Sequence, residues 1–131
     1  MQAFLFTVFY FAFVAVDGGK LPCRLPANYI ATINEFVNNL RTEHQVVELM
    51  YDKSMEDEAM REKENSGYAA SKGYGVIKFA GKFQDNLDEI LKSSLEGESE
   101  MIHPGAERYG CWLSLRQEDC NLAVICVINR K

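Results

Sequence analysis

Apolar residues recur at three- and four-residue intervals from Ile30 onward: Ile30, Ile33, Val37 and Leu40, with Phe36 widening the stripe. That period predicts an amphipathic helix. Asn28, just after Pro26, stands where a cap would, and Asn34, Glu35, Asn38 and Arg41 fall on the polar face. A second helix is expected from Ser54, which with Asp57 three residues on has the form of a capping box. Met55 and Ala59 would face inward, and Glu56, Asp57 and Glu58 would lie in a first turn whose dipole favours negative charge. The stretch from Gly67 to Gly75, rich in Gly, Ser, Tyr and Ala, reads as a loop, and its glycines match no phosphate-binding spacing. Val76 to Phe79 follows as a short strand. Phe83, Leu87, Ile90, Leu91 and Leu95 form a further helical stripe that Gly97 stops.

The period then changes. Tyr109 to Leu115 and Asn121 to Ile128 are rich in β-formers, and polar Arg116 to Asp119 separates them, a hairpin signal. Leu122 to Ile128 is apolar on both faces and is expected to be a central strand covered by helices on both sides. Helices around a small, mainly antiparallel sheet give an α+β fold of the α-β-α sandwich type.

The N-terminus carries an address. Ala3 to Val16 is apolar apart from Thr7. The run is shorter than the about 20 residues of a membrane span and suits the h-region of a signal peptide. With small Gly18 and Gly19 following, residues 1–18 are expected to be cleaved, leaving residues 19–131 as a single domain. No later segment is apolar enough to span a bilayer. Formal net charge is -5, and no basic patch is present, which argues against nucleic acid and anionic membrane as partners. All four cysteines, Cys23, Cys111, Cys120 and Cys126, lie beyond the signal segment. An even number in an oxidising compartment implies two disulfides, with three pairings open. No CxxC pair or neighbouring histidine points to metal.

These pieces resemble, in order, the CAP superfamily of cysteine-rich secretory, venom antigen 5 and plant pathogenesis-related proteins. Asn38, Arg41 and His44 match the pattern that ends the family's first helix. Leu49, Tyr51, Asp52, Met55 and Ala59 match the pattern that follows. Gly110-Cys111, Cys120 and Cys126 match its closing strands. The resemblance covers Ile30 to Ala59 and Met101 to Ile128, and it implies a middle shortened against the usual domain. Counting back from Cys111, Glu96 to His103 falls on the family's signature stretch. Met101 and Ile102 match its apolar pair, but Gly97 stands at the signature histidine and His103 at the tryptophan. The family's other cavity histidine has no counterpart.

What the resemblance implies is therefore a retained scaffold without its metal cavity. The expectation is a secreted, monomeric, non-enzymatic CAP-like domain, without a cofactor, that binds an extracellular protein or lipid-like ligand. His103, Glu89, Glu96, Tyr68 and Tyr74 are the candidate ligand-binding residues. Tyrosines offer large amphipathic contact area at small entropic cost. His44 would favour a helix C-terminal dipole when charged, and exposed helical carboxylates are the plainer account of Glu89 and Glu96. Two alternatives stand beside this reading. One is an unrelated disulfide-stapled module, an inhibitor or a matrix component; the other is a divalent-metal-dependent CAP-type enzyme.

Overall fold

The computed structural model describes residues 23–83 and 86–130. The expected signal segment lies outside them. Helix α1 spans Tyr29–Glu43, strand β1 Met50–Tyr51, and helix α2 Ser54–Glu64. A short helix α3, Tyr68–Ser71, occupies the stretch expected to be loop. Strand β2, Gly75–Lys82, is followed by α4, Leu87–Ser93, and by α5, Glu98–Met101. Strands β3, Ala106–Leu115, and β4, Asn121–Arg130, form the expected hairpin. Among the described residues no helix is long and apolar enough to cross a membrane.

The four strands lie in the order β1-β3-β4-β2, with β1 parallel to β3 and the other pairs antiparallel. Register fixes two faces. On one, Ile77, Phe79, Tyr109, Cys111, Val124, Cys126 and Ile128 pack against Ile33 and Val37 of α1, Ile90 and Leu91 of α4, and Met101 of α5. On the other, Val127 packs with Met55 and Ala59 of α2 and Ala69 of α3. The α-β-α arrangement expected from the sequence is therefore present. Its second layer is shorter than the apolar run of β4 suggested: Val127 is buried, whereas Ala123 on the same face is exposed.

Local signals were partly displaced. Asp52, not the pair Ser54 and Asp57, organises the start of α2: its carboxylate accepts from Ser54 N at 2.9 Å and from Ser54 Oγ at 2.8 Å. Asn28 holds the cap position of α1 without a side-chain capping bond. The third helical stripe is only partly a helix: it starts at Leu87, because Phe83 is already committed to the sheet hairpin with its N–H donating to Cys120 O at 2.8 Å, and it ends at Ser93, before Leu95. Glu62, 5% exposed, accepts from Gly67 N at 3.2 Å and Ala69 N at 2.8 Å and so satisfies the first amides of α3.

Of the three pairings open in the sequence, the structure contains Cys23–Cys120 and Cys111–Cys126. The second joins directly opposed residues of β3 and β4 on the buried face. The first ties the lead-in to the far end of the hairpin across 97 residues. Closing so long a loop removes more freedom from the unfolded chain than closing the 15-residue one.

Gly110 decides how closely α2 can lie on β3. A Cβ there would sit 2.6 Å from Met55 C and 2.6 Å from Glu56 N, both backbone atoms of the helix. The Gly-Cys pair is thus a steric requirement for the second layer. Gly110→Ala should lower stability by about 2–3 kcal/mol, read as a fall in the urea midpoint; an unchanged midpoint would contradict the contact.

Candidate functional site

Gly97 occupies the position that the resemblance assigns to the signature histidine. Its φ is 91°, in the left-handed region, and a Cβ would lie 2.5 Å from Val76 O and 3.3 Å from Ile77 Cα. Its neighbour Glu96 pairs with Lys78 through both backbone groups, at 2.8 and 3.0 Å. The segment before α5 is thus laid directly along the outer edge of β2. Space that a side chain would need is filled by strand backbone.

Beside this contact lies a polar junction that the sequence reading had turned toward solvent. Arg41 is completely buried. Its Nε donates to Val47 O at 2.6 Å, and its Nη1 donates to Met101 O at 2.7 Å and His103 O at 3.1 Å. Burial lowers the guanidinium pKa from its ordinary value, but a guanidinium remains charged in proteins. Its partners are backbone carbonyls of the segment before β1 and of the end of α5. One turn earlier, Asn38 donates to Leu49 O at 3.1 Å and accepts from Leu49 N at 2.7 Å. The amide side chain thereby imitates a neighbouring strand beside β1. Asn34 accepts from the hydroxyl of Tyr109 at 2.8 Å.

Two tyrosines complete the junction. The rings of Tyr51 and Tyr109 meet edge to face at 5.0 Å. The Tyr51 hydroxyl donates to Glu56 at 2.5 Å and accepts from Cys111 N at 3.3 Å, a β3 amide beyond the end of β1. Burial pushes both phenols well above their ordinary range, with the Glu56 hydrogen bond adding to the effect at Tyr51. Both stay protonated and act as structural donors. The motif residues Asn38 and Arg41 are therefore internal scaffolding. His44, at the end of α1, is exposed, with Nδ1 2.9 Å from Leu40 O and Nε2 3.8 Å from Glu98.

The residues singled out for ligand binding lie on separate elements. His103 is half-buried in the turn before β3, and its Nδ1 accepts from Gly105 N at 2.9 Å. Glu96 is exposed at the edge of β2, and Glu89 is exposed on α4. Tyr68 donates to Glu58 at 2.9 Å, with Lys72 Nζ 5.9 Å from its ring. Tyr74 packs on the cluster of Met55, Ala59, Ala69 and Val127. Only Tyr68 and Tyr74 share a neighbourhood, around α3.

Among the described residues no group of three or more His, Cys, Asp and Glu could hold a metal ion. With a glycine pressed on strand backbone at the histidine position, the residues present do not fit a metal there. The sequence reading did not identify a groove of about 370 Å³ between α1 and α4, lined by Glu35, Phe36, Leu40, Glu43, Asp88 and Lys92 among others. Its residues come from two separate stripes, and only the packing of α4 on α1 brings them together.

No family model and no curated protein matches the chain. Solved structures do. Ancylostoma-secreted protein Ac-ASP-7, also solved in a manganese-bound form, is 26% identical, with a TM-score of 0.68 over 83% of this chain and 72% of that one. The hookworm platelet inhibitor is 14% identical, with a TM-score of 0.59 over 86% of this chain and 74% of its own. An outer surface protein of Borrelia burgdorferi is 13% identical, with a TM-score of 0.56 over 85% of this chain and 100% of its own. The last two share the fold alone.

Gly97→His and Gly97→Ala should both destabilise the chain, by about 2–4 kcal/mol, through left-handed strain and the clash with Val76. Thermal unfolding measures this; a histidine variant as stable as the parent would show that the position is open.

Proposed function

We propose that this chain, whose fold is that of the CAP superfamily, acts outside the cell as a non-catalytic binding domain. Residues 1–18 serve as its signal peptide, and residues 19–131 form the secreted, monomeric domain. The ligand is an extracellular protein or a lipid-like molecule, held by the surface of the domain and not by a metal-centred cavity. The carrying observation is Gly97. The position that the resemblance assigns to a family histidine holds a positive-φ glycine packed on the Val76 carbonyl, which supports a scaffold kept without the cavity chemistry.

The other features agree. Ac-ASP-7, similar in fold, is known with manganese bound; this chain lacks a ligand set for such an ion among its described residues. Glu62, Tyr109 and the Nε and Nη1 groups of Arg41 hold backbone or neighbouring side chains, while Arg41 Nη2 is buried without a hydrogen-bond partner among the described residues. None forms a nucleophile with a base in reach. The disulfides suit an oxidising compartment. The unrelated-module reading fails on the fold itself.

Calorimetric titration of manganese or zinc into the disulfide-bonded chain tests the reading. The expected result is no stoichiometric binding tighter than millimolar. Tight one-to-one binding that is lost in His103→Ala would restore the metal-dependent alternative.

A further inference from the structure

We propose that the open half of the sheet, on the face that carries α2 and α3, is a further binding site for an acidic glycan: a chain of sugar rings bearing sulfate or carboxylate groups. The site goes beyond the binding-domain reading and does not depend on it. Register defines the surface. Helices α2 and α3 cover the row Val76–Val127–Gly110. Beyond it run three cross-strand rows whose outward side chains are exposed or half-buried. These are Lys78–Ile125–Trp112, Ala80–Ala123–Ser114 and Lys82–Asn121. Arg116 extends the last row, its N–H donating to Asn121 O at 2.9 Å. The middle row is small throughout, so it forms the floor of a trough between two taller walls. The trough encloses about 490 Å³ and is lined by Ala80, Ser114, Arg116, Asn121 and Ala123 among others. The walls stand about 13 Å apart, four residues of strand rise, and the volume lies in the range of small-molecule sites, roughly 300–1,000 Å³.

The wall chemistry selects the occupant. Trp112 is 37% exposed beside this floor, and a flat indole accepts the apolar C–H face of a sugar ring while its N–H reaches a polar edge. Lys78 and Lys82 stand at the β2 end of the walls. Neither forms an ion pair among the described residues, although Glu96 is bonded to Lys78 through the backbone. No carboxylate lines the trough. Asp119 holds Arg116 at 3.0 and 2.6 Å and Asn121 Nδ2 at 2.9 Å, which fixes the far wall and leaves the free positive charge on the two lysines. An anionic group is thereby attracted next to a stacking platform. An extended peptide finds no free strand edge here, because β4 is bonded on both sides. Two alanines and a serine offer an acyl chain little apolar area. A sugar ring, apolar on its faces and polar around its edge, fits both parts.

The test is titration of the folded, disulfide-bonded chain with a heparin hexasaccharide. Trp112 is the one tryptophan of the chain, so its fluorescence reports the site directly; backbone amide NMR shifts provide the second readout. Maltohexaose and hexaglutamate serve as parallel arms. The hexasaccharide should change the Trp112 emission and shift the amides of Lys82, Ser114 and Ala123. Its affinity should fall roughly tenfold in Lys78→Gln/Lys82→Gln and fall in about 0.5 M salt, where screening is strong. Ala123→Phe fills the trough at an exposed position without altering charge; it should weaken binding by a similar factor while unfolding at the parent's temperature. Maltohexaose, which has no anionic group, should bind at least roughly tenfold more weakly. No binding of the hexasaccharide, or indifference to Ala123→Phe, would overturn the proposal. Maltohexaose binding as tightly would remove the acidic class, and hexaglutamate shifting the same amides as strongly would overturn the glycan in favour of an acidic peptide.

Discussion

The one buried cation among the described residues, the guanidinium of Arg41, ties three separate parts of the chain together. It reaches from α1 to the carbonyl of Val47, before the edge strand, and to those of Met101 and His103, after α5. Two of those contacts bridge separations of 60 and 62 residues. A cation inside a protein is costly unless its donors are engaged; Nε and Nη1 are engaged and fix the surrounding backbone closely, while the buried Nη2 has no hydrogen-bond partner among the described residues. Asn38 adds the seal beside β1, and Tyr51 and Tyr109 carry the network across to β3. The two-residue strand β1 would be marginal by itself; these side chains hold it in the sheet.

Much of this frame was legible in the chain. The 3.6-residue stripe of α1, the apolar run of β4 and the even cysteine count each follow from local rules, and each has its counterpart in the structure. The order of motifs from Asn38 to Cys126 led to the CAP-like fold. What was not legible came from tertiary contacts. Arg41 lies within the polar face of α1, and no helical periodicity distinguishes a solvated arginine from one swallowed by a distant loop. The helix α3 depends on Glu62, whose carboxylate reaches the amides of Gly67 and Ala69; nothing in the composition of that segment announces it. The α1–α4 groove joins two stripes whose contact the sequence does not specify. The five proposed ligand residues were chosen by type and place in the chain, and they are dispersed over different elements.

Two glycines show how the same residue can preserve and erase. Gly110 sets how closely α2 lies on β3, because the helix rests on it with backbone atoms at contact distance. Gly97, at the position the resemblance assigns to a histidine, lies so close to the backbone of β2 that a side chain would clash there. The chain therefore keeps the parts of the architecture that hold the sheet between helices.

The claim that the frame hangs on a buried polar junction is tested most directly by native-state amide hydrogen exchange in Arg41→Met compared with the parent. The account predicts that Leu49, Asp52 and Ala106, whose amides bond to Asn38, Tyr109 and His103 respectively, lose protection by local opening, while Val124 and Cys126 in the central strand exchange only with global unfolding. Protection at Leu49, Asp52 and Ala106 that stays at the parent's level would contradict it.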